Sequence, residues 1–539
     1  LRMATFYNLL AQCTENADSS LALREKAFNI VQTSSGQADG GENADPGLFL
    51  AADYLKLGRL EDAQRILALF NDFEAKAGSK NSQYLKLLFH RAQLHLLQGN
   101  TSLALQEYTR LVNTRRELIS SDLLLLNDYQ RLNRFNQLKA MNNWMLTQCQ
   151  NKDIQQAGFI SLALDFQLFT KSLLLSTAQK IRENIQTDTT LAPIFLAWTD
   201  TRERLAWCYT QPKANLEKQN INIAALESRA DSLETVISRS SSALASENLR
   251  KPFAWTDVRD QLRPGEAALE IARFKENHLE PSDSLLYAVF IIRPEMRERP
   301  AVIFIPDAER LDQIMLEKYL AECAVPGGKG QTGQLYQAFW KNLEPYLKDI
   351  SRLYVAADGA FFKINIGAIQ LPDGQYVADR YDVRHVFSLK DIDTKNDAQG
   401  TENLAGKTAF LAGNPAFLLK KDGDTAAATL RAVSETPDSL TAFGPFESIL
   451  RNADDVRGIN LSPLPGSQQE VQELDALLRK KGWRTTLVTG LTANEDTLKA
   501  LKNPGILHLA THGYFLSNVR SGAAGLSRPL LESNPMLRS

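Results

Sequence analysis

Cysteine is scarce in this chain of 539 residues, where Cys13, Cys149, Cys208 and Cys323 are the four present. They are scattered, with no C-x-x-C pair, which argues against a disulfide framework and for a reducing, cytoplasmic setting. Net charge is also nearly absent, at −2, so no global field draws the protein to nucleic acid or to an anionic membrane. No apolar run approaches the roughly 18 to 20 residues that a membrane helix needs. The opening residues Leu1 to Leu10 lack the basic start and small-residue cleavage site of a signal peptide. They read as helix interior, as though the chain were a piece of a longer one. Several catalytic signatures are missing too: no G-x-S-x-G, and no G-x-G-x-x-G after a strand. The glycine cluster Gly327 to Gly333 fails the P-loop test, since Lys329 is followed by Gly330 where Ser or Thr is required, and it reads as a flexible loop.

What is present is ordinary globular material, 44% hydrophobic and 23% charged. A chain this long exceeds one core and predicts roughly two to four domains. Ala51, Tyr54, Gly58, Ala63 and Leu67 recur at the same spacings as Ala92, His95, Gly99, Ala104 and Tyr108, with a period of about 41 residues. Tyr129, Leu132, Asn133 and Leu138 suggest a third copy. Small residues let two antiparallel helices approach, and Gly or Asn supplies the left-handed turn between them. The pattern resembles the tetratricopeptide repeat, of about 34 residues, and predicts an α-solenoid over 1–150 that binds a partner protein. An unrelated helical bundle is the alternative. His90 and His95, spaced i and i+5, suit a structural role better than a shared metal.

Residues 151–250 remain helical. Leu191 to Trp207 is amphipathic, and Leu226, Ala230, Leu233 and Ile237 form one stripe beyond a break at Gln211-Pro212. A helical hairpin follows, with Arg202, Glu203 and Arg204 on its solvated face. After Lys251-Pro252 short apolar strands alternate with helices: Ala267 to Phe274, Leu286 to Ile292, Ala301 to Ile305, Arg352 to Ala356, Thr408 to Ala412, Thr485 to Val488 and Ile506 to Ala510. Such alternation predicts a three-layer α/β domain over 251–539 with a largely parallel sheet. In such sheets reactive groups gather beyond the carboxyl ends of the strands.

Two of these ends carry candidate chemistry. Asp358-Gly359 follows the Arg352 strand and reads either as a turn or as a carboxylate lining a substrate pocket. His508 lies within, and His512 just beyond, a strand predicted to be buried. A zinc site of the H-E-x-x-H kind is excluded because Leu509 stands where the Glu would be. His508 reads as a core residue. His512 precedes Gly513, whose exposed N–H beside an imidazole suits a general base with an oxyanion donor. Neither a metal nor another cofactor is indicated.

An ordered set of fragments resembles the CHAT domain, a caspase- and separase-related peptidase domain often joined to tetratricopeptide repeats. The set comprises Trp255 with Leu262-Arg263-Pro264-Gly265-Glu266-Ala267, and Ala357-Asp358-Gly359 with Lys363-Ile364-Asn365-Ile366. It continues with Gly413-Asn414-Pro415, Leu464-Pro465-Gly466-Ser467 with Glu470, and His508 to Gly513. The resemblance implies a caspase-like fold and a cysteine endopeptidase acting on protein substrates, regulated through its repeats in bacterial signalling or immunity. It implies that His512 is the catalytic histidine, that Gly513 N–H is an oxyanion donor, and that a basic P1 residue is preferred if Asp358 lines the pocket. The family's nucleophilic cysteine follows the histidine motif, yet no cysteine follows Cys323. The nucleophile is therefore expected beyond Ser539, with the chain by itself inactive. A non-catalytic scaffold carrying a degenerate peptidase domain is the alternative.

Overall fold

The computed structural model describes residues 2–392, 407–416 and 463–512, with gaps in the first span, the larger ones at 36–43, 178–189, 211–215 and 324–331. The chain divides into two compact units, Leu1–Pro193 with Glu234–Thr394, and Ile194–Leu233 with Lys395–Ser539. Among the described residues no helix is long and apolar enough to cross a membrane.

The first unit opens with helices α1 (Arg2–Gln12), α2 (Ala17–Ser35), α3 (Asp45–Lys56), α4 (Leu60–Ala68), the short α5 (Phe73–Ala77), α6 (Ser82–Leu97), α7 (Thr101–Asp122) and α8 (Asp128–Gln148). The two strong sequence copies fold as the helix-turn-helix pairs α3–α4 and α6–α7. Gly58 and Gly99 both take positive φ, 70° and 77°. The chain then closes each helix with the same six-residue bond: Arg59 N–H to Tyr54 O at 2.9 Å, and Asn100 N–H to His95 O at 2.8 Å. This is the Schellman arrangement, in which glycine escapes the Cβ penalty of the left-handed turn. Ala51, Ala63, Ala92 and Ala104 are fully buried where the paired helices touch. His90 is half-buried beside Gln93, with Nδ1 3.0 Å from its Oε1, and desolvation lowers its imidazole to about 4.

The third copy does not form the predicted turn. α8 runs unbroken through Asn133, which has no positive φ. No Gly or Pro interrupts this segment, and Leu138, Trp144 and Met145 carry the buried stripe onward, so packing extends the helix to Gln148.

α8 leads through α9 (Lys152–Ile154) and a π-turn to α10 (Ile160–Thr170), and these helices cover a sheet. Its strands are β1 (Glu266–Asn277), β2 (Pro281–Ile292), β3 (Ala301–Ile305), β4 (Arg352–Ala356) and β5 (Asp382–Val386), in the order β3-β2-β1-β4-β5. β1 to β3 form an antiparallel meander, while β1, β4 and β5 run parallel. Side chains alternate across the pleat. Ala268, Ala272, Phe274, Phe290 and Tyr354 join the core of the N-terminal helices, whereas Ala267, Leu269, Ile271, Val289 and Leu353 face a second core with Phe339, Trp340 and Phe361. The predicted three layers are therefore present, and the N-terminal helical region is itself one of them.

α11 (Ala192–Thr210) and α12 (Ile223–Arg250) meet at Leu205 and Ala230, late in one and early in the other, as the predicted hairpin requires. Glu203 and Arg204 are exposed and Arg202 lies over the Trp198 ring, consistent with a solvated face.

The second unit holds three parallel strands, β6 (Thr408–Pro415), β7 (Arg484–Gly490) and β8 (Ile506–Ala510), in the order β7-β6-β8. Ala409, Phe410 and Leu411 of the central strand are buried, and α15 (Pro465–Lys480; α13 is Trp255–Gln261 and α14 is Leu316–Cys323) packs on the sheet through the buried Val471. The expectation that β8 is a buried strand is not met: Leu507 is 51% exposed and Leu509 46%. β8 is the outermost described strand, and those two leucines alternate with the side chains turned toward α15.

Candidate active site

The parallel strands of the first sheet end in a fixed turn. Asp358 leaves β4 in extended backbone, and its two carboxylate oxygens accept the N–H groups of Gly359 and Arg273, each at 2.8 Å. Gly359 sits at φ +56°, and a Cβ there would fall 2.1 Å from Tyr287 Oη, so this position requires glycine. Tyr287 Oη accepts the Ala360 N–H at 2.7 Å and donates to Asp312, whose other oxygen takes the Arg273 guanidinium. Burial and then Asp312 push the Tyr287 hydroxyl far above its ordinary pKa, so it remains a proton donor. The turn reading of Asp358-Gly359 is realised.

Asp358 also lines a cavity of about 350 Å³ at the carboxyl ends of β1, β4 and β5, whose opposite wall is α8 and α10. Asn142, Gln167 and Lys171 contribute to that wall. Lys171, just past α10, donates to Ile271 O at 3.0 Å and Ala356 O at 2.8 Å, and lies 2.7 Å from Glu270 Oε1. Glu270 is completely buried in β1. Burial pushes its carboxyl up, and Lys171 opposes that shift. Sequence reading passed over this pair, although an acid inside the apolar run Ala267-Ala268-Leu269-Glu270-Ile271-Ala272 is the signal that could have revealed it.

In the second unit three sequence fragments converge at the carboxyl end of β6. Asn414, at φ +45°, donates its N–H to Ser467 Oγ at 2.8 Å, accepts the Leu464 N–H at 2.8 Å and donates its amide to Gln468 at 3.0 Å. A Cβ on Gly413 would stand 2.5 Å from Ser467 O, so glycine permits the strand end to touch the start of α15. One turn further along that helix, Glu470 Oε1 lies 2.9 Å from His508 Nε2. His508 is therefore partnered but not a core residue, since its side chain is 32% exposed. It projects toward α15 from an edge position, where a carboxylate meets it in place of apolar packing. His512, half-buried, lies just past β8 at the same carboxyl edge of this sheet. Gly513 lies outside the described residues. So does most of the glycine cluster, Gly327 to Gln331.

Cys149 and Cys208 do not suit a nucleophilic role. Cys149 and Cys208 are buried, and burial pushes both thiols up, away from the thiolate form that attacks carbonyls.

The CHAT domain model matches residues 330–537, which span β4, the Asp358 turn, the Asn414–Ser467 junction and the His508–His512 segment. Trp255 and Leu262 to Ala267 lie before the match, as do the N-terminal helices. No curated protein matches the chain.

Proposed function

We propose that the chain is a caspase-like cysteine endopeptidase in which His512 is the catalytic histidine. CHAT domains belong to the caspase-like peptidase family. The observation that carries the reading is the assembly of the family's fragments, Gly413-Asn414, Ser467, Glu470 and His508, around the strand ends beside His512. In the proposed reaction a cysteine thiolate attacks the scissile carbonyl. His512 takes the thiol proton and delivers it to the leaving amine, while the Gly513 N–H stabilises the oxyanion. No cysteine follows Cys323, so none of the four present is assigned as that nucleophile. Asp358 would line the substrate pocket and contribute its negative charge toward a basic P1 side chain. The helical region would bind a regulatory protein and so shift the peptidase between inactive and active states, in a cytoplasmic bacterial signalling or immune pathway.

The alternative reading is a scaffold whose peptidase domain is degenerate. Cleavage of a co-expressed partner separates the two. His512→Ala should lower cleavage by roughly 10²- to 10⁴-fold. Cleavage unchanged by that substitution rejects the histidine assignment, and no cleavage by the natural full-length chain favours the scaffold.

A further inference from the structure

A second cavity, of about 240 Å³, opens on the helical region between α6, α7 and α8. Leu85, Phe89, Ile119, Leu138 and Met141 make its apolar wall. Two guanidinium groups also line it, Arg115 from α7 and Arg134 from α8, and among the described residues no carboxylate does. The third cation there, Lys86, is committed to Asp45 at 2.7 Å. Arg115 is half-buried with no hydrogen-bond or ion-pair partner among the described residues, and Arg134 reaches only Gln137, at 3.5 Å. Two cations lining one half-apolar cup repel each other, and partial burial adds a desolvation cost. Among the described residues nothing offsets that cost, whereas a carboxylate seated between the two forks would reverse both effects.

We infer that this cup receives an acidic side chain, flanked by an apolar one, from a partner protein. The proposal rests on the reading that the helical region is the partner-binding part, and it names that partner's chemistry. A nucleic-acid ligand fits less well. A phosphate backbone calls for a track of cations, whereas here they are confined to one half-apolar cup in a chain of net charge −2.

The test is capture of peptides from a random nonamer display library by the full chain, by Arg115→Gln/Arg134→Gln, and by the control Arg65→Gln, whose side chain is 69% exposed on α4. Peptides bound by the parent and the control should be enriched in Asp and Glu. A chosen acidic binder should lose roughly tenfold or more in affinity in the double variant. Arg115→Lys, which keeps the charge but not the fork, should fall between them. Removing Arg115 relieves repulsion, so the melting temperature should hold or rise, and a lost peptide is not a lost fold. Binding that persists in the double variant, or no enrichment in acids, overturns the cup. A single-stranded oligonucleotide bound through the same arginines overturns it in favour of nucleic acid. Non-acidic peptides captured elsewhere on the helices would leave the partner-binding reading standing, and capture of none would end both. Repeating the capture with His512→Ala separates the result from peptidase activity, since binding should be unchanged.

Discussion

The two sets of parallel strand ends are built differently. At β4 the Asp358 turn has buried layers on both sides, both carboxylate oxygens are taken by backbone N–H groups, and an ion pair lies buried beneath it. At β8 the described residues are covered mainly on the α15 side, His512 is half-buried, and Leu507 and Leu509 are exposed. A carboxylate tied to two backbone N–H groups and an acid paired with a lysine in low dielectric favour one fixed arrangement. Exposed apolar side chains beside a candidate base leave surface for another polypeptide to cover. The first end supplies geometry, and the second is where chemistry and binding are expected to respond to what arrives.

The strongest way to break this contrast is at the ion pair. Lys171→Met should cost about 3–5 kcal/mol by urea denaturation, because Glu270 would remain buried without its cation. Glu270 already has a raised pKa from burial, and loss of Lys171 would raise it further. A carboxyl whose folded pKa exceeds its unfolded one is favoured at low pH, so the deficit should shrink as pH falls through the raised folded pKa and be largest at neutral pH. Lys171→Met/Glu270→Leu should recover much of the loss, and a double variant as unstable as the single one would show that the pair is not the cause. Next in size are the two crowded glycines. Gly359→Ala combines positive φ with a Cβ at 2.1 Å from Tyr287 Oη and should cost at least about 2 kcal/mol. Gly413→Ala meets only the crowding, at 2.5 Å from Ser467 O, and should cost less in the same denaturation assay. Equal losses would contradict the strain argument at Gly359. Smallest should be Glu470→Gln, whose partner is His508 and whose side chain is 53% exposed. It should shift stability by less than about 1 kcal/mol, and a larger shift in the melting curve would mean that the β8 edge is as rigid as the β4 end.

Much of this layout was legible in the sequence because it depends on local periodicity. The strands at 352 and 506 matched their predicted bounds, and the left-handed turns fell on Gly58 and Gly99. β5 escaped because Asp382, Arg384 and His385 make it polar, as is common at the edge of a sheet. Asn133 misled because asparagine is tolerated both in turns and inside helices, and packing around Leu138 and Trp144 decided between them. The turn at Asp358 could be read, but not its dependence on Tyr287 and Asp312, which the chain brings in from far away. At the other end, the convergence of Asn414 with Ser467 was visible only as fragments in order, since no spacing rule joins positions so distant.

The Lys171–Glu270 contact also bears on how such a chain can be inherited. Lys171 follows α10, and it binds both a strand-buried acid and the Ala356 carbonyl at the end of β4. A recombination event that exchanged the helices for another array would leave that acid without its cation and that carbonyl without its donor. Positions 171 and 270 can therefore change together more readily than apart, and the helices are not a module that evolution can swap freely.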